Sequence, residues 1–122
     1  MKEWNMAILA AGRSSRMGQL KGLLPIDERP LLEVHIEKFF SYGGNHLTVV
    51  LGHNAKIYQE ACPLLLDDRV TVAHNQEYDR GQFSSCQLAV MKQKKREHLF
   101  LMPVDMFMPS KEVFEGIWQA YK

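Results

Sequence analysis

Four short apolar runs, separated by segments of helical spacing, restrict the folds that this chain can adopt. The runs are Asn5–Ala10, His46–Leu51, Arg69–His74 and His98–Met102. Each is continuous and bounded by polar or glycine-containing segments, which is typical of strands covered on both faces. Strand alternating with helix predicts βαβ units, a parallel sheet and right-handed crossovers that put helices on both faces. We therefore predict an α/β fold.

Helical patterns fill the segments between the apolar runs. Pro30 precedes an apolar pattern of helical spacing that ends at Gly43, so we predict a helix between them. Pro63 would end or kink the second helix. The hydroxyl residues that open the third helix suit helix capping. The second, third and last helices are predicted over Ala55–Leu65, over Ser84–Lys95 and after Ser110.

Length, charge and cysteine content bound the function. With 122 residues the chain suits one modest core, and we expect a single domain over residues 1–122. A net charge of +1 argues against a protein that coats nucleic acid or a membrane surface. The only cysteines, Cys62 and Cys86, make no disulfide framework. No signal peptide or membrane span is visible, so we expect a reduced, cytoplasmic protein.

The segment that follows the first strand carries the strongest chemical signal. Ala10, Ala11 and Gly12 are small, so the backbone can approach a ligand closely, and successive N–H groups can bind an anion. Arg13, Arg16 and Lys21 bring cations to the same place, as a triphosphate requires. A tight strand-to-helix turn with solvated basic residues is the alternative. The combined pattern favours phosphate binding.

Two further segments lie where the third and fourth strands end. Asp105 follows the fourth strand, and a carboxylate beside a phosphate loop is a natural Mg²⁺ ligand. Its alternative role is to end the strand by bonding to nearby backbone. The segment Asn75–Ser85 begins at the end of the third strand, and its alternative role is a turn followed by a helix cap at Ser84 or Ser85.

The run from Leu9 to Pro25 reads Leu-Ala-Ala-Gly-Arg-Ser-Ser-Arg-Met-Gly-Gln-Leu-Lys-Gly-Leu-Leu-Pro. This run resembles the signature of the molybdenum-cofactor nucleotidyltransferases, with the cytidylyltransferase branch as the best match. The resemblance implies a Rossmann-like nucleotidyltransferase fold. We predict a parallel sheet in which the four strands lie in the order 3-2-1-4, with the loop after the first strand and Asp105 on the same edge.

The resemblance also implies a role for each site residue. Arg16 and Lys21 would neutralise the triphosphate, and Asp105 would bind Mg²⁺. Asn75, Gly81 and Ser85 match the family's segment that closes over the nucleotide. The residues of the first loop that would hold the base and phosphates are Leu9, Ala10, Ala11, Gly12, Arg13 and Ser14.

Some positions depart from the family pattern. Ala11, where the guanylyltransferase branch tends to have glycine, resembles the cytidine-using branch. Gln82 replaces a methionine, and Phe107 stands where proline is usual. Family members also continue through further strands that hold the acceptor and supply a second metal-binding aspartate. We therefore expect the chain to be a fragment, with a shortened protein that needs a partner as the alternative, and we expect self-association through an exposed sheet edge.

The predicted reaction is transfer of a nucleoside monophosphate, with CMP from CTP favoured, to a small phosphorylated acceptor such as the molybdopterin cofactor. Pyrophosphate is the second product. The alternatives are a truncated, non-catalytic nucleotide-binding module and a related nucleotidyltransferase with a sugar-phosphate or another acceptor.

Overall fold

The computed structural model describes residues 5–11, 25–26, 29–52, 55–76, 82–92, 99–104, 110–113 and 116. The predicted first and second strands are confirmed with identical bounds, and the third and fourth differ by one residue at their ends. The elements are β1 (Asn5–Ala10), β2 (Pro25–Ile26), β3 (Arg29–Pro30), α1 (Leu31–Ser41), β4 (His46–Leu51), α2 (Ala55–Ala61), a 3-10 turn (Pro63–Leu66), β5 (Val70–His74), α3 (Gln82–Lys92) and β6 (Leu99–Pro103).

Four of these strands form one sheet in the order β5-β4-β1-β6, and every neighbouring pair is parallel. This confirms the predicted order 3-2-1-4. Ala10 pairs with Leu51 of β4, and Leu9 pairs with Pro103 of β6, so all the strands end at the same edge. The short strands β2 and β3 form an antiparallel hairpin that the sequence analysis did not predict.

The sheet carries a hydrophobic core on each face. One core joins alternate residues of β1, β4 and β6 to α1, α2 and the 3-10 turn, with Ile8, Ile36 and Leu47 fully buried. The other core lies on the opposite face, where Ala89 of α3 packs with Leu9 and Val50. Helices therefore cover both faces, as predicted.

Two glycines determine where α1 ends. Gly43 has a φ of 96°, in the left-handed region that glycine adopts without steric cost. Its N–H donates to Phe40 O at 3.1 Å, and Gly44 N–H donates to Phe39 O at 3.0 Å. These two bonds make a Schellman motif, which satisfies carbonyl groups that the helix end would leave unpaired.

The other predicted helices need adjustment. The second ends at Ala61, because Pro63 cannot continue an α-helix and starts the 3-10 turn instead. The third begins at Gln82 rather than Ser84. Residues 111–113 and 116 are helical, in agreement with the predicted last helix. Among the helices that the structure describes, none has the length and apolarity required to cross a membrane.

The prediction that all four strands are covered on both faces was wrong for two of them. Leu101 of β6 is 44% exposed, and Val70 and Val72 of β5 are only partly buried. Both strands lie at the ends of the sheet order, where fewer neighbours cover them. The central strands β1 and β4 are almost entirely buried, as the sequence analysis expected.

Candidate functional site

The carboxyl ends of the four parallel strands form one edge of the sheet, and the candidate site residues that the structure describes lie there. The order along this edge is His74, Leu51, Ala10 and Pro103, with strands about 4.8 Å apart. The chain proceeds from β1 to β4 and β5 on one side, and then crosses to β6 on the other. A reversal of this kind opens a crevice beyond the strand ends, where ligands bind in open α/β sheets.

The end of β1 supplies small, buried residues to this crevice. The side chains of Leu9 and Ala11 belong to the core beneath α3, whereas Ala10 belongs to the core beneath α1. These side chains hold the strand end between two packed layers. Any nucleotide contact from this segment would therefore come from the backbone, as the small residues suggest.

The end of β6 lies beside the end of β1. Val104 N–H donates to Leu9 O at 3.0 Å, which extends the β1–β6 pairing one residue beyond the last strand pair. Val104 is buried against the core beneath α1. Asp105 is the next residue along the chain.

A polar cluster occupies the end of β5. The side chain of Asn75 is almost fully buried, and its Nδ2 donates to Ser84 Oγ and to Ser85 Oγ, both at 2.9 Å. The Asn75 N–H donates to Leu51 O at 2.7 Å. Asn75 therefore fixes the first turn of α3 to the ends of β4 and β5.

The alternative prediction, a helix cap at Ser84 or Ser85, was wrong. Because α3 begins at Gln82, Ser84 and Ser85 lie inside its first turn and are not the capping residues. Their hydroxyl groups bond to the side chain that ends β5. Ser85 was predicted as a site residue and Ser84 was not, although two consecutive hydroxyl residues after a strand-end asparagine were the available signal.

Several predicted site residues lie outside the described residues. They are Gly12, Arg13, Ser14, Arg16, Lys21, Gly81 and Asp105. Their roles stay predictions. Within the described ranges no group of three His, Cys, Asp or Glu side chains could hold a metal ion.

The four parallel strands, with helices on both faces, define a Rossmann-like α/β architecture. Residues 6–122 match the family model described as the MobA-like NTP transferase domain. The chain belongs to this family.

Individual relatives agree with this assignment. The chain is 32% identical over 91% of its length to the molybdenum cofactor cytidylyltransferase of Escherichia coli, and covers 56% of that protein. It is 48% identical over 39% of its length to a molybdenum cofactor guanylyltransferase of Xanthomonas euvesicatoria, covering 25% of it. The crystal structure of Rv0371c from Mycobacterium tuberculosis superposes with a TM-score of 0.81 at 25% identity, covering 98% of this chain and 60% of that one. The chain thus spans little more than half the length of the first and last of these proteins.

Proposed function

We propose that this chain provides the nucleotide-binding half of a nucleotidyltransferase that uses a nucleoside triphosphate. An oxygen of the acceptor's phosphate attacks the α-phosphorus, the bond between that phosphorus and the β-phosphate oxygen breaks, and pyrophosphate leaves. The acceptor then carries the nucleoside monophosphate. The protein contributes by positioning the two reactants and by neutralising charge.

The observation that carries this proposal is the meeting of β1, β5 and β6 at one edge of the sheet. The ends of β1 and β6 are neighbours, joined by the bond from Val104 N–H to Leu9 O. The Asn75 cluster lies at the end of β5, which is two strands from β1 on the side opposite β6. The strand ends that precede the loop and Asp105 in the chain thus share one edge of the sheet with the hydroxyl cluster, and ligands bind at this edge in open α/β sheets.

The charged residues of the proposed site come after β1 and after β6 in the chain. Arg16 and Lys21 would neutralise the triphosphate, and Asp105 would hold Mg²⁺. Mg²⁺ usually takes one or two carboxylates, completed by water and substrate phosphate oxygens. One carboxylate after β6 fits that donor set, and the bound ion would offset charge on the phosphates.

CTP is the favoured nucleotide and molybdopterin the favoured acceptor. Support comes from the cytidylyltransferase of Escherichia coli, which matches 91% of this chain, and from Ala11 in place of a second loop glycine. A guanylyltransferase also matches over a shorter part of the chain. Comparing CTP with GTP in every binding experiment separates the two branches.

The assigned role of Lys21 gives a direct test. Lys21→Ala should weaken binding of CTP more than binding of CMP, because its charge is assigned to the outer phosphates. Isothermal titration calorimetry of wild type and variant with both nucleotides measures this difference. Lys38→Ala is the matched control, since Lys38 lies in the last turn of α1, remote in sequence from the proposed site. An equal loss for CTP and CMP would assign Lys21 to general affinity or to folding.

Turnover separates the enzyme from a non-catalytic binding module. Pyrophosphate release with CTP, Mg²⁺ and a molybdopterin acceptor supports an enzyme. Binding of CTP without release supports a module that needs the remaining half of the family fold. Absence of CTP and GTP binding in calorimetry would contradict both.

A further inference from the structure

Arg29 of β3 forms ion pairs with two carboxylates of α1 and has no part in the proposed function. Its Nη1 donates to Glu37 Oε2 at 2.6 Å, and its Nη2 donates to Glu33 Oε1 at 3.2 Å. Glu33 and Glu37 stand four residues apart, so they lie on one face of the helix. The guanidinium of Arg29 therefore joins β3 to the first two turns of α1.

The two carboxylates differ in their exposure to water. The Glu37 side chain is 61% exposed, whereas the Glu33 side chain is only 14% exposed. Glu33 Oε2 is buried and has no hydrogen-bond partner among the described residues. A carboxylate shielded in this way depends on its counter-charge, because burying an unpaired charge costs far more than burying a paired one. The pair with Glu33 therefore matters more for stability than the shorter but exposed pair with Glu37.

Arg29 also belongs to the hairpin in which the Leu9–Pro25 segment ends. In this hairpin Arg29 pairs with Ile26, and Pro30 pairs with Pro25. Pro25 is the last residue of the run that resembles the family signature, and α1 starts directly after β3. The ion pairs of Arg29 therefore hold against α1 the hairpin into which the Leu9–Pro25 segment leads.

The Leu9–Pro25 segment is thus held at both ends. At its start, Ala10 pairs with Leu51 in the centre of the sheet. At its end, Pro25 lies in the hairpin that Arg29 joins to α1, and α1 packs on the same sheet. Residues 12–24 connect these two points along the chain. A segment with fixed ends loses less conformational freedom when it binds a ligand, so each fixed end favours binding.

We propose that Arg29 is a positioning residue that anchors the far end of the nucleotide-binding segment by holding the β2–β3 hairpin against α1. This inference rests on the proposed function where it concerns nucleotide affinity, but not where it concerns the hairpin. Arg29 acts without touching the nucleotide. It lowers the conformational cost of binding by keeping Pro25 and Ile26 in place.

The test separates this anchor from simple neutralisation of Glu33. Arg29→Met leaves the Glu33 carboxylate unpaired, so it should lower the urea midpoint. The double variant Arg29→Met/Glu33→Gln removes the stranded charge and should regain most of that stability, but its hairpin stays unanchored. Arg29→Lys keeps a cation without the planar fork that reaches both carboxylates. Arg69→Met is the matched control, since Arg69 pairs with Asp67 before β5, at the opposite edge of the sheet.

Two readouts report on the two parts of the proposal. The NMR order parameter of the Ile26 amide, measured without ligand, should fall in the double variant from about 0.85 to below about 0.6 as the hairpin becomes mobile. Calorimetry should show the affinities for CTP and CMP both reduced about fivefold in that variant, because the cost of ordering the segment is common to both nucleotides. Arg29→Lys should give intermediate values, and Arg69→Met should match wild type. A loss confined to CTP would make Arg29 a phosphate-binding residue and overturn the proposal.

The two proposals can fail separately. If wild type binds neither CTP nor CMP, the proposed function fails, and the Ile26 order parameter alone decides whether Arg29 holds the hairpin. A double variant with the order parameter or the affinities of wild type overturns the anchor. If the double variant does not fold, Arg29→Lys decides in its place: a lower order parameter with weaker binding of both nucleotides supports the anchor, and wild-type values overturn it.

Discussion

Removal of the Asn75 side chain should loosen the start of α3. Asn75→Ala deletes the two bonds from Nδ2 to Ser84 Oγ and Ser85 Oγ but keeps the backbone bond to Leu51 O. The strand end would stay in place, whereas the first turn of α3 would lose its side-chain tie to β5.

The magnitude follows from the number and burial of these bonds. An intramolecular hydrogen bond contributes about 1 kcal/mol net, so losing two should lower the free energy of unfolding by about 2 kcal/mol. Ser85 is only 3% exposed, so its hydroxyl cannot regain a partner from water as readily as the part-buried Ser84. In Asn75→Ala the Ser85 hydroxyl should therefore account for more of this loss than the Ser84 hydroxyl.

Urea unfolding followed by circular dichroism measures this effect. A loss of about 2 kcal/mol would lower the urea midpoint by about 1 M. The double variant Asn75→Ala/Ser85→Ala should show a coupling of about 1 kcal/mol between the two sites. Ser41→Ala is the control, because the exposed Ser41 Oγ donates only locally to Lys38 O. If Asn75→Ala changes the midpoint no more than Ser41→Ala does, the cluster does not hold α3.

Changes at three further residues test the core and the end of α1. Burial, followed by the negative charge of Glu33, raises the pKa of the Cys62 thiol to about 11. Because this pKa is higher in the folded chain than in the unfolded chain, the thiol's contribution to the free energy of unfolding is complete below pH 9 and is lost as pH rises towards 11. In a Cys86→Ser background, the urea midpoint should therefore fall between pH 9 and 11, and Cys62→Ala should remove that fall. Gly44→Ala should lower the Tm because its Cβ would collide with the buried Phe39 ring. In Gly43→Ala the new Cβ would have free space, but the backbone would keep a positive φ, which should cost about 1 kcal/mol of stability. An unchanged Tm in both variants would contradict the helix-end geometry.

The strands could be predicted because their signals are local, whereas their order was predicted together with the fold that the family resemblance implies. An apolar run such as Asn5–Ala10 has its pattern within six residues, and the glycine pair after α1 marks its own helix end. The β2–β3 hairpin could not be predicted, because strands of two residues carry no periodicity. The start of α3 was placed late because Ser84 suits a cap, whereas its hydroxyl bonds to Asn75 in the folded chain.

The candidate site was only partly predictable for a related reason. Asn75 and Ser85 stand in one segment, so a family resemblance could bring them together. His35 Nε2 of α1 lies 3.1 Å from Val104 O, across 69 residues of the chain, and only the packing of α1 on the sheet joins them. A histidine in an amphipathic helix gives no sign of the carbonyl that it will meet, because that partner is backbone and carries no sequence signal.

The last prediction concerns the uncovered face of β6. Leu101 points away from the core that holds Met102 and Val104, and it is 44% exposed. Within the described part of the sheet, β6 pairs only with β1, so it presents an edge. A strand edge beside exposed apolar surface favours pairing with another chain.

We therefore expect the 122-residue chain to self-associate with increasing concentration. Leu101→Lys should reduce this association, because a lysine at an edge opposes pairing between chains. Light scattering coupled to size-exclusion chromatography measures the mass of both variants over a range of concentrations. Val113→Lys is the control, since Val113 has a similar exposure outside the sheet. If wild type is a monomer throughout, or if both substitutions act alike, association does not proceed through this strand.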